Sequence, residues 1–396
     1  MGLLEPFGGP ERPHREVVVE PLPSYDRWGS LKGKRILVRV DFNTPVAEVD
    51  GRWAVTDDFR IRATLPLFEE LLSRGAVVVA CTHFGRPQGQ VIEKYRVEPV
   101  RRRLSELCRD VELLENLRFN PGEEDNDPEF GAALVAGFDY YINEAFGASH
   151  RAHASIMVPP TLIPSAAGLN LARETSTILG LLENPARPFV AIIGGAKVAD
   201  KLAITKVLCE KADTVIVGGG MAYTFQAALG HSVGSSLFDA SYVEQCAQLL
   251  AAGTVVIPTD AWGLPAASPF GAHAGREPAT LFGADIPDGF AGLDIGPVSA
   301  EHFADVIGAA ATILWNGPMG VFEDERFAGG TEAVARAVAK SDAISVVGGG
   351  DSVAALRAFE LEGDVSFVST GGGASLELVE LGDLPGLRAL RESPFN

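Results

Sequence analysis

Cysteine is scarce in this sequence, and long apolar segments are missing. The 396 residues include four cysteines, none of which belongs to a Cys-x-x-Cys pair. This spacing argues against a zinc ribbon and against a redox motif, and it predicts reduced, buried thiols in a cytoplasmic protein. No apolar run reaches the roughly 18 residues of a membrane-spanning helix, and residues 1–20 lack the apolar stretch of a signal peptide. We therefore expect no membrane partner.

Basic residues are outnumbered as well. Lys and Arg total 33 against 52 Asp and Glu, which gives a net charge of −19. A chain this acidic is not expected to bind nucleic acid or an anionic membrane non-specifically, although it can bind a small anion where basic residues are gathered. Hydrophobic residues make up 46% of the chain, as in globular proteins. At about 150 residues per domain, the length predicts two or three domains.

Short apolar runs alternate with longer amphipathic stretches from Arg35 onward. Between the first two runs, residues 57–73 carry apolar side chains at helical spacing. This βαβ rhythm predicts parallel sheets with helices on both faces. The predicted strands form two sets, residues 35–40, 76–82, 111–115 and 140–143, then residues 189–193, 214–217, 254–257, 312–315, 344–347 and 366–369.

A helical stretch separates the two sets of strands. Residues 169–182 are predicted to form an interdomain helix, and the Pro-rich residues 184–188 end it. The predicted fold class is therefore α/β, with two doubly wound, parallel-sheet (Rossmann-like) domains joined by a hinge helix. The first 30 or so residues are predicted to be an irregular lead-in, and residues 261–275 a surface loop.

Four strands of the second set end in a glycine cluster. The clusters begin at Gly194, Gly218, Gly348 and Gly371, and a helix is predicted after each. A strand, a glycine turn and a helix N-terminus together present free backbone N–H groups to an anion. One cluster alone is equally typical of tight packing, but four at the carboxyl ends of parallel strands favour a phosphate or nucleotide site. None completes a dinucleotide fingerprint, and the chain has neither a P-loop nor the protein-kinase signatures.

Three charged residues lie beside these glycines. Lys197 and Lys201 are predicted to share one helix face, where a solvated surface pair is the ordinary alternative to phosphate contact. Asp351 opens a helix after Gly350, either as an N-cap or as a ligand of Mg²⁺ that bridges nucleotide phosphates.

Basic side chains follow the strands of the first set. If these strands form one parallel sheet, the basic residues gather at one edge and predict a site for a small polyanion. Each residue alone has a structural alternative, such as Arg39 paired with an internal carboxylate, or His150 and His153 hydrogen-bonded in the core. A zinc site at these two histidines lacks a Cys or acidic partner. The set comprises Arg39, Arg60, His83, Arg86, Arg118, His150, Arg151 and His153.

Nine segments between residues 35 and 380 together resemble the phosphoglycerate kinase family. They are RILVRVDFNTPV, THFGRPQG, ENLRFNPGEE, NEAFGASHRAHAS, IIGGAKVADK, VGGGMAYTF, LWNGPMGVFE, VVGGGDS and STGGGASLELVE. The resemblance implies a glycolytic phosphotransferase with a carboxyl group as acceptor. Such an enzyme transfers a phosphoryl group reversibly between 1,3-bisphosphoglycerate and ADP, giving 3-phosphoglycerate and ATP.

The resemblance also implies a domain arrangement and partners. Residues 1–172 would form an N-terminal phosphoglycerate-binding domain and residues 173–383 a C-terminal nucleotide-binding domain. Residues 384–396 would pack back on the first domain. The implied cofactor is Mg²⁺, the implied partners are the small molecules 3-phosphoglycerate and ATP or ADP, and the implied state is a monomer.

The site residues follow from the same resemblance. The substrate-binding positions are Asp41, Phe42, Asn43, Arg60, His83, Phe84, Gly85, Arg86, Arg118 and Arg151. The nucleotide-binding positions are Lys197, Lys201, Gly219, Gly220, Gly292, Asn316, Glu323, Gly349, Gly350, Asp351 and Ser352. Asp351 would contact the metal and Glu323 the ribose. Arg60 and Lys201 are the expected catalytic residues, with transition-state support from the helix N-termini at Gly349, Gly372 and Gly373.

Two other functions stay open from the residues alone. The first is a nucleotide-dependent oxidoreductase, against which the missing dinucleotide fingerprint counts. The second is a non-catalytic binding protein that keeps the fold, against which the complete set of Lys and Arg residues counts.

Overall fold

A computed structural model describes residues 21–271 and 275–395. The predicted lead-in up to residue 20, residues 272–274 of the predicted loop and Asn396 of the tail lie outside the described residues. The strands are β1 (Arg35–Arg39), β2 (Val46–Val49), β3 (Arg52–Val55), β4 (Val77–Cys81), β5 (Val111–Leu113), β6 (Tyr140–Asn143), β7 (Ser165–Ala167), β8 (Phe189–Ile193), β9 (Thr214–Val217), β10 (Val255–Val256), β11 (Ala261–Pro265), β12 (Thr280–Phe282), β13 (Phe290–Ile295), β14 (Thr312–Asn316), β15 (Ile344–Gly348) and β16 (Phe367–Val368). The helices are α1 (Phe59–Ser73), α2 (Glu98–Leu107), α3 (Pro128–Val135), α4 (Ala154–Met157), α5 (Pro159–Leu162), α6 (Leu169–Glu183), α7 (Leu202–Lys211), α8 (Ala222–Ala228), α9 (Val243–Ala251), α10 (Pro297–Gly308), α11 (Gly329–Lys340), α12 (Gly350–Ala358), α13 (Gly373–Leu381) and α14 (Pro385–Arg391).

The first lobe is built on a five-stranded sheet in the order β5-β4-β1-β6-β7. Every pairing is parallel, and Arg39 lies opposite both Cys81 and Asn143. The two central strands read RILVR and VVVAC, and such near-continuous apolar runs are typical of strands covered on both faces. The predicted parallel sheet is confirmed, so the residues that follow β1, β4 and β6 lie at one edge.

The second lobe is built on a six-stranded sheet in the order β10-β9-β8-β14-β15-β16. Its pairings are also parallel, with Asn316 opposite Ile193 and Gly348. The glycine clusters that follow β8, β9, β15 and β16 therefore lie along one edge of this sheet. The two sheets confirm the predicted fold class.

The prediction of a surface loop over residues 261–275 is wrong at its start. Strand β11 pairs antiparallel with β12 on one side and β13 on the other. A β-bulge interrupts the register between Trp262 and Gly263, and a Cβ atom on Gly263 would lie 2.3 Å from the carbonyl oxygen of Ala291. Gly263 is therefore required by a close backbone approach inside a strand.

Helix α6 lies between the two sets of strands and confirms the helix predicted over residues 169–182. Glu144, at the end of β6, caps this helix by accepting hydrogen bonds from the N–H groups of Asn170 at 2.9 Å and Leu171 at 3.3 Å. Burial raises the pKa of Glu144 to about 8, although the two N–H groups act in the opposite direction. The edge of the first sheet is thus bonded directly to the hinge.

The last helix of the chain packs against the first lobe. Helix α14 contacts α4, α5 and β7, and the Gly386 N–H donates to the carbonyl oxygen of Ser149 at 2.8 Å. Leu384 and Leu387 are fully buried there. The chain therefore passes through the second lobe and then completes the core of the first.

We expect Leu387→Ala to lower the free energy of unfolding by about 2–5 kcal/mol, because it leaves a cavity in this core. Leu381→Ala is the matched control, since Leu381 is 59% exposed at the end of α13. Urea unfolding followed by circular dichroism measures both. Equal stabilities of the two variants would contradict the buried contact of α14.

Candidate active site

Arg60 lies at the edge of the first sheet and reaches across to the second lobe. It belongs to the first turn of α1, and its Nη1 lies 3.1 Å from Oδ2 of Asp41, which follows β1. Its Nη2 donates to the carbonyl oxygen of Thr370, which follows β16, at 3.2 Å. One guanidinium group therefore contacts both lobes, and its remaining donors suit a bound anion.

A buried ionic network supports this edge from inside the first lobe. Arg39 and Glu123 are fully buried, with Arg39 Nη2 3.9 Å from Glu123 Oε1 and 3.2 Å from His83 Nδ1. Ser155 accepts from Arg39 Nε at 2.8 Å and donates to Glu123 Oε1 at 2.7 Å. Burial acts to raise the pKa of Glu123, but hydrogen bonds from His153 and Ser155 and the charge of Arg39 outweigh it and hold the pKa below its usual range. The structural alternative for Arg39, an internal carboxylate partner, is confirmed.

Positive charge is concentrated around His83. Burial of the ring, together with the charges of Arg39, Arg118 and Arg60, holds the pKa of His83 well below its usual range. Burial and the charges of Arg151 and Arg39 likewise lower the pKa of Arg118, against the effect of neighbouring glutamates. Arg151 is exposed. The basic residues are thus close in space, as the strand order predicts.

The remaining predicted positions of this lobe include Phe42, Asn43, Phe84 and Arg86. The rings of Phe42 and Phe84 are buried in the core, so only their main chain borders the edge. Asn43 Oδ1 accepts the N–H of Gly85 at 2.9 Å and fixes the turn after β4. Arg86 is exposed and has no ion pair within residues 21–271 and 275–395.

Lys201 is the central cation of the second lobe. Its Nζ donates to the carbonyl oxygens of Gly194 at 2.6 Å and Asn316 at 3.1 Å, and to Oδ1 of Asn316 at 2.7 Å. Burial lowers its pKa to about 8, while the charges of Asp351 and Asp200 act in the opposite direction. The ammonium group therefore lies where β8 and β14 end side by side.

The prediction that Lys197 and Lys201 share a helix face is wrong. Helix α7 begins only after Lys201, and Lys197 lies exposed in the preceding loop. The N–H of Gly194 donates to the carbonyl oxygen of Asn316 at 2.9 Å, so the loop first crosses the end of the neighbouring strand. Helix α7 therefore begins at Leu202, several residues later than predicted.

Helix α12 presents its N-terminus to the space between the lobes. Gly349 is the N-cap and has φ of 92°, a left-handed conformation that favours glycine. Asp351 lies exposed in the first turn, so the N-cap alternative for its side chain is wrong. Ser352 Oγ accepts the N–H of Gly317 at 2.5 Å, which connects the helix to the turn after β14.

The remaining nucleotide-side positions lie on different elements. Gly219 and Gly220 lie in the turn after β9, which ends at Val217. Gly292 is buried behind Tyr223, since a Cβ atom on Gly292 would lie 2.1 Å from the Tyr223 hydroxyl oxygen. Glu323 is exposed and has no ion pair in the described part of the chain.

Glu174 is a residue that the sequence did not reveal. It lies on the hinge helix α6, is fully buried, and accepts hydrogen bonds of 2.7 Å from the Ser369 hydroxyl and from both the N–H and the hydroxyl of Thr370. The carbonyl oxygen of Thr370 in turn accepts from Arg60. The only sequence signal was an acidic residue among the apolar positions of the helix.

A cavity of about 270 Å³ separates the two edges. Side chains and main-chain N–H groups of both lobes face it, an arrangement suited to an anionic group held between a guanidinium and a helix N-terminus. Among the residues described, no group of three or more His, Cys, Asp or Glu side chains could bind a metal unaided. The lining includes Asn43, Arg60, Gly349, Gly350, Thr370 and Gly372.

No helix in the described ranges is both long enough and apolar enough to cross a bilayer.

The comparisons with known proteins agree on one family. The profile of the family described as phosphoglycerate kinase matches residues 27–381. The chain is 48% identical to the phosphoglycerate kinase of Rubrobacter xylanophilus, over 91% of this chain and 96% of that protein. It is similar in structure to phosphoglycerate kinase from Coxiella burnetii, with a TM-score of 0.82 and 35% identity over 94% of this chain and 99% of the other. The enzyme from Pyrococcus horikoshii gives a TM-score of 0.79 and 30% identity, over 92% and 98% of the two chains.

We expect the ligand-free protein to show one lysine signal that titrates near pH 8. This signal should be absent from Lys201→Met. The folded-state pKa of Lys201 is about 8 against an ordinary 10.5, so between these values the unfolded chain holds a proton that the folded chain has released. The contribution of Lys201 to the free energy of unfolding therefore rises with pH through this window. NMR of lysines labelled at Cε follows the titration, with Lys206→Ala, an exposed position on α7, as control. A Lys201 signal that titrates with the other lysines would contradict the burial.

Proposed function

The chain belongs to the phosphoglycerate kinase family and is a glycolytic phosphotransferase, and we propose that its reaction takes place in the cavity between the two lobes. The reaction is the reversible transfer of a phosphoryl group between 1,3-bisphosphoglycerate and ADP, which gives 3-phosphoglycerate and ATP. The observation that carries the proposed location is that Arg60 and the N-terminus of α12 line the same cavity of about 270 Å³ from opposite lobes.

The edge of the first lobe is the proposed phosphoglycerate site. Arg118, Arg151 and Arg60 supply guanidinium groups that suit carboxylate and phosphate oxygens. The low pKa of His83 keeps this ring neutral, so it binds as a hydrogen-bonding partner while the arginines carry the charge. Phe42, Phe84 and Gly85 border this site through their main chain, and Arg86 remains available to an incoming anion. Asp41 and Asn43 orient Arg60 and the turn at Gly85.

The edge of the second lobe is the proposed nucleotide site. Lys201 and the glycine turns at Gly219, Gly220 and Gly349 are the proposed contacts of the phosphate oxygens. Lys197 is exposed in a loop beside this edge and supplies a second, more flexible cation. The other proposed nucleotide contacts are Gly292, Asn316, Glu323 at the ribose, Gly350 and Ser352.

Direct transfer, without a phosphorylated enzyme, is the proposed mechanism. In phosphoryl transfer the protein mainly positions the reactants and neutralises charge. Arg60 and Lys201 stabilise the equatorial oxygens of the moving group, and the helix N-termini at Gly349 and Gly372 to Gly373 add donors. The lobes close about α6, which brings the two bound substrates into line and excludes water.

Asp351 is the proposed protein ligand of Mg²⁺. Its carboxylate is exposed at the start of α12 and forms no ion pair among the residues described. One carboxylate together with nucleotide phosphate oxygens is a donor set that suits Mg²⁺. When bound, the ion neutralises negative charge on the phosphates.

The domain division that fits this function is residues 1–172 for phosphoglycerate and 173–383 for the nucleotide, with residues 384–396 returning to the first domain. The contacts of α14 with α4, α5 and β7 support the return of the tail. We further propose a cytoplasmic monomer, which is consistent with the four free cysteines.

We expect the purified protein to consume ATP only when both 3-phosphoglycerate and Mg²⁺ are present. A coupled assay that reduces the 1,3-bisphosphoglycerate formed measures this turnover, and excess chelator is expected to abolish it until Mg²⁺ is restored. We expect Asp351→Asn to need a higher Mg²⁺ concentration for half-maximal activity. Full activity in chelator, or an unchanged Mg²⁺ dependence of Asp351→Asn, would show that the metal role is wrong.

We expect Arg60→Ala and Lys201→Ala each to lower kcat by at least about 10²-fold, because each removes a donor to the transferred group. Arg62→Ala and Lys206→Ala are the matched controls. Arg62 lies two residues further along α1 and pairs with Asp58, and Lys206 is exposed on α7. A loss of less than about threefold for either test variant, in protein with the wild-type circular dichroism spectrum, would remove that residue from the mechanism.

A further inference from the structure

Arg357 forms a second contact between the lobes, separate from that of Arg60. It lies in the last turn of α12, and its Nη1 pairs with Oδ2 of Asp57 on the first lobe. Its guanidinium carbon lies 4.7 Å from the centre of the Phe59 ring. Its Nε and Nη2 each lie 3.0 Å from a carboxylate oxygen of Glu362, which braces it from its own lobe. Arg357 therefore contacts three side chains, and two of them, Asp57 and Phe59, belong to the opposite lobe.

Asp57 transmits this contact to the start of α1. While one carboxylate oxygen accepts from Arg357, the other accepts the N–H of Phe59 at 2.9 Å. Arg60 is the next residue of the helix. The contact therefore acts on the turn that carries Arg60, although Arg357 itself contacts none of the residues proposed to bind a substrate.

Helix α12 completes the connection on the other side. Its first turn contains Asp351, and Arg357 lies six residues later, about 9 Å along the helix at 1.5 Å per residue. Asp57, Arg60, Gly349 and Arg357 all line the cavity of about 270 Å³. Asp57 and Arg357 also line a wider cleft of about 700 Å³, so the pair lies between the reaction cavity and open solvent.

We propose that Arg357 is a positioning residue for phosphoryl transfer, which holds Asp57 and Phe59 so that Arg60 faces the N-terminus of α12. This inference rests on the proposed function for its kinetic consequence but not for the contact itself. Both side chains of the ion pair are about one third exposed, at 30% and 34%, so the pair is open to screening by salt. A partly exposed ion pair together with a stacked cation corresponds to an effect of about fivefold rather than a hundredfold.

A double-mutant cycle on kcat tests the proposal. The proteins are wild type, Arg357→Ala, Asp57→Asn and the double variant; asparagine keeps an oxygen that can accept the Phe59 N–H. We expect each single variant to lower kcat about fivefold while the KM values for ATP and 3-phosphoglycerate stay within about twofold. We expect the double variant to lose no more than either single variant, because both remove the same contact. The effect of Arg357→Ala should shrink at high ionic strength.

Arg336→Ala is the control, since Arg336 pairs with Glu332 inside helix α11 and is about half exposed. It should leave kcat unchanged. If the circular dichroism spectrum shows that Arg357→Ala does not fold, Arg357→Lys takes its place in the cycle. Lysine keeps the charge but lacks the planar guanidinium group that pairs with Asp57 and stacks on Phe59. A kcat of Arg357→Ala within 1.5-fold of wild type, or losses that multiply in the double variant, would overturn the proposal.

Small-angle X-ray scattering separates this proposal from the proposed function. If the wild-type protein shows no kinase turnover, the proposed function fails, yet the contact still predicts a larger radius of gyration for Arg357→Ala and for Asp57→Asn than for Arg336→Ala. An unchanged radius of gyration in both would overturn the positioning role independently of activity.

Discussion

Glu174 links helix α6 to the second lobe and, through Thr370, to Arg60 of the first lobe. Its carboxylate is fully buried on the hinge helix, where it accepts three hydrogen bonds of 2.7 Å from Ser369 and Thr370 of the second lobe. A buried carboxylate is stable only when its oxygens are satisfied in this way, so the turn after β16 cannot move away from the helix without a large cost. Because the carbonyl oxygen of the same Thr370 accepts from Arg60, a rotation of the hinge helix changes the position of the guanidinium group. Glu144 bonds the other end of this connection to the first sheet.

The second constraint is electrostatic. A chain with a net charge of −19 must hold several arginines close together at one edge. The fold gives the inner member, Arg39, a buried partner in Glu123. Arg60 and Arg118 pair with Asp41 and Glu124, and each also donates to a main-chain oxygen. Carboxylates beside the arginines therefore offset part of the positive charge at this edge. On the second lobe, Lys201 shares the task of binding an anion with main-chain N–H groups, which carry no net charge and need no counter-ion.

Sequence reasoning succeeded where a local pattern reports directly on structure. Val- and Ile-rich runs bounded by glycines gave β8 and β9 with their observed bounds, and the parallel order followed from the βαβ rhythm. Sequence reasoning failed where tertiary contacts determine the local structure. Gly263 marks a close approach to Ala291 inside a strand, and the loop before Lys201 is set by bonds to the neighbouring strand, neither of which leaves a periodic signal. The roles of Glu174 and Arg357 depend on Ser369 and Asp57, which lie 195 and 300 residues away in sequence, and a residue type alone does not indicate its partner.

The position of α14 has a consequence for biosynthesis. Residues 385–391 fill the core beside α4, α5 and β7, yet the ribosome makes them only after the whole second lobe. The first lobe therefore emerges before the second lobe but carries an open apolar surface until α14 has been made. During that interval the nascent chain exposes a groove that chaperones can bind, and a truncated product that lacks this helix keeps that groove permanently.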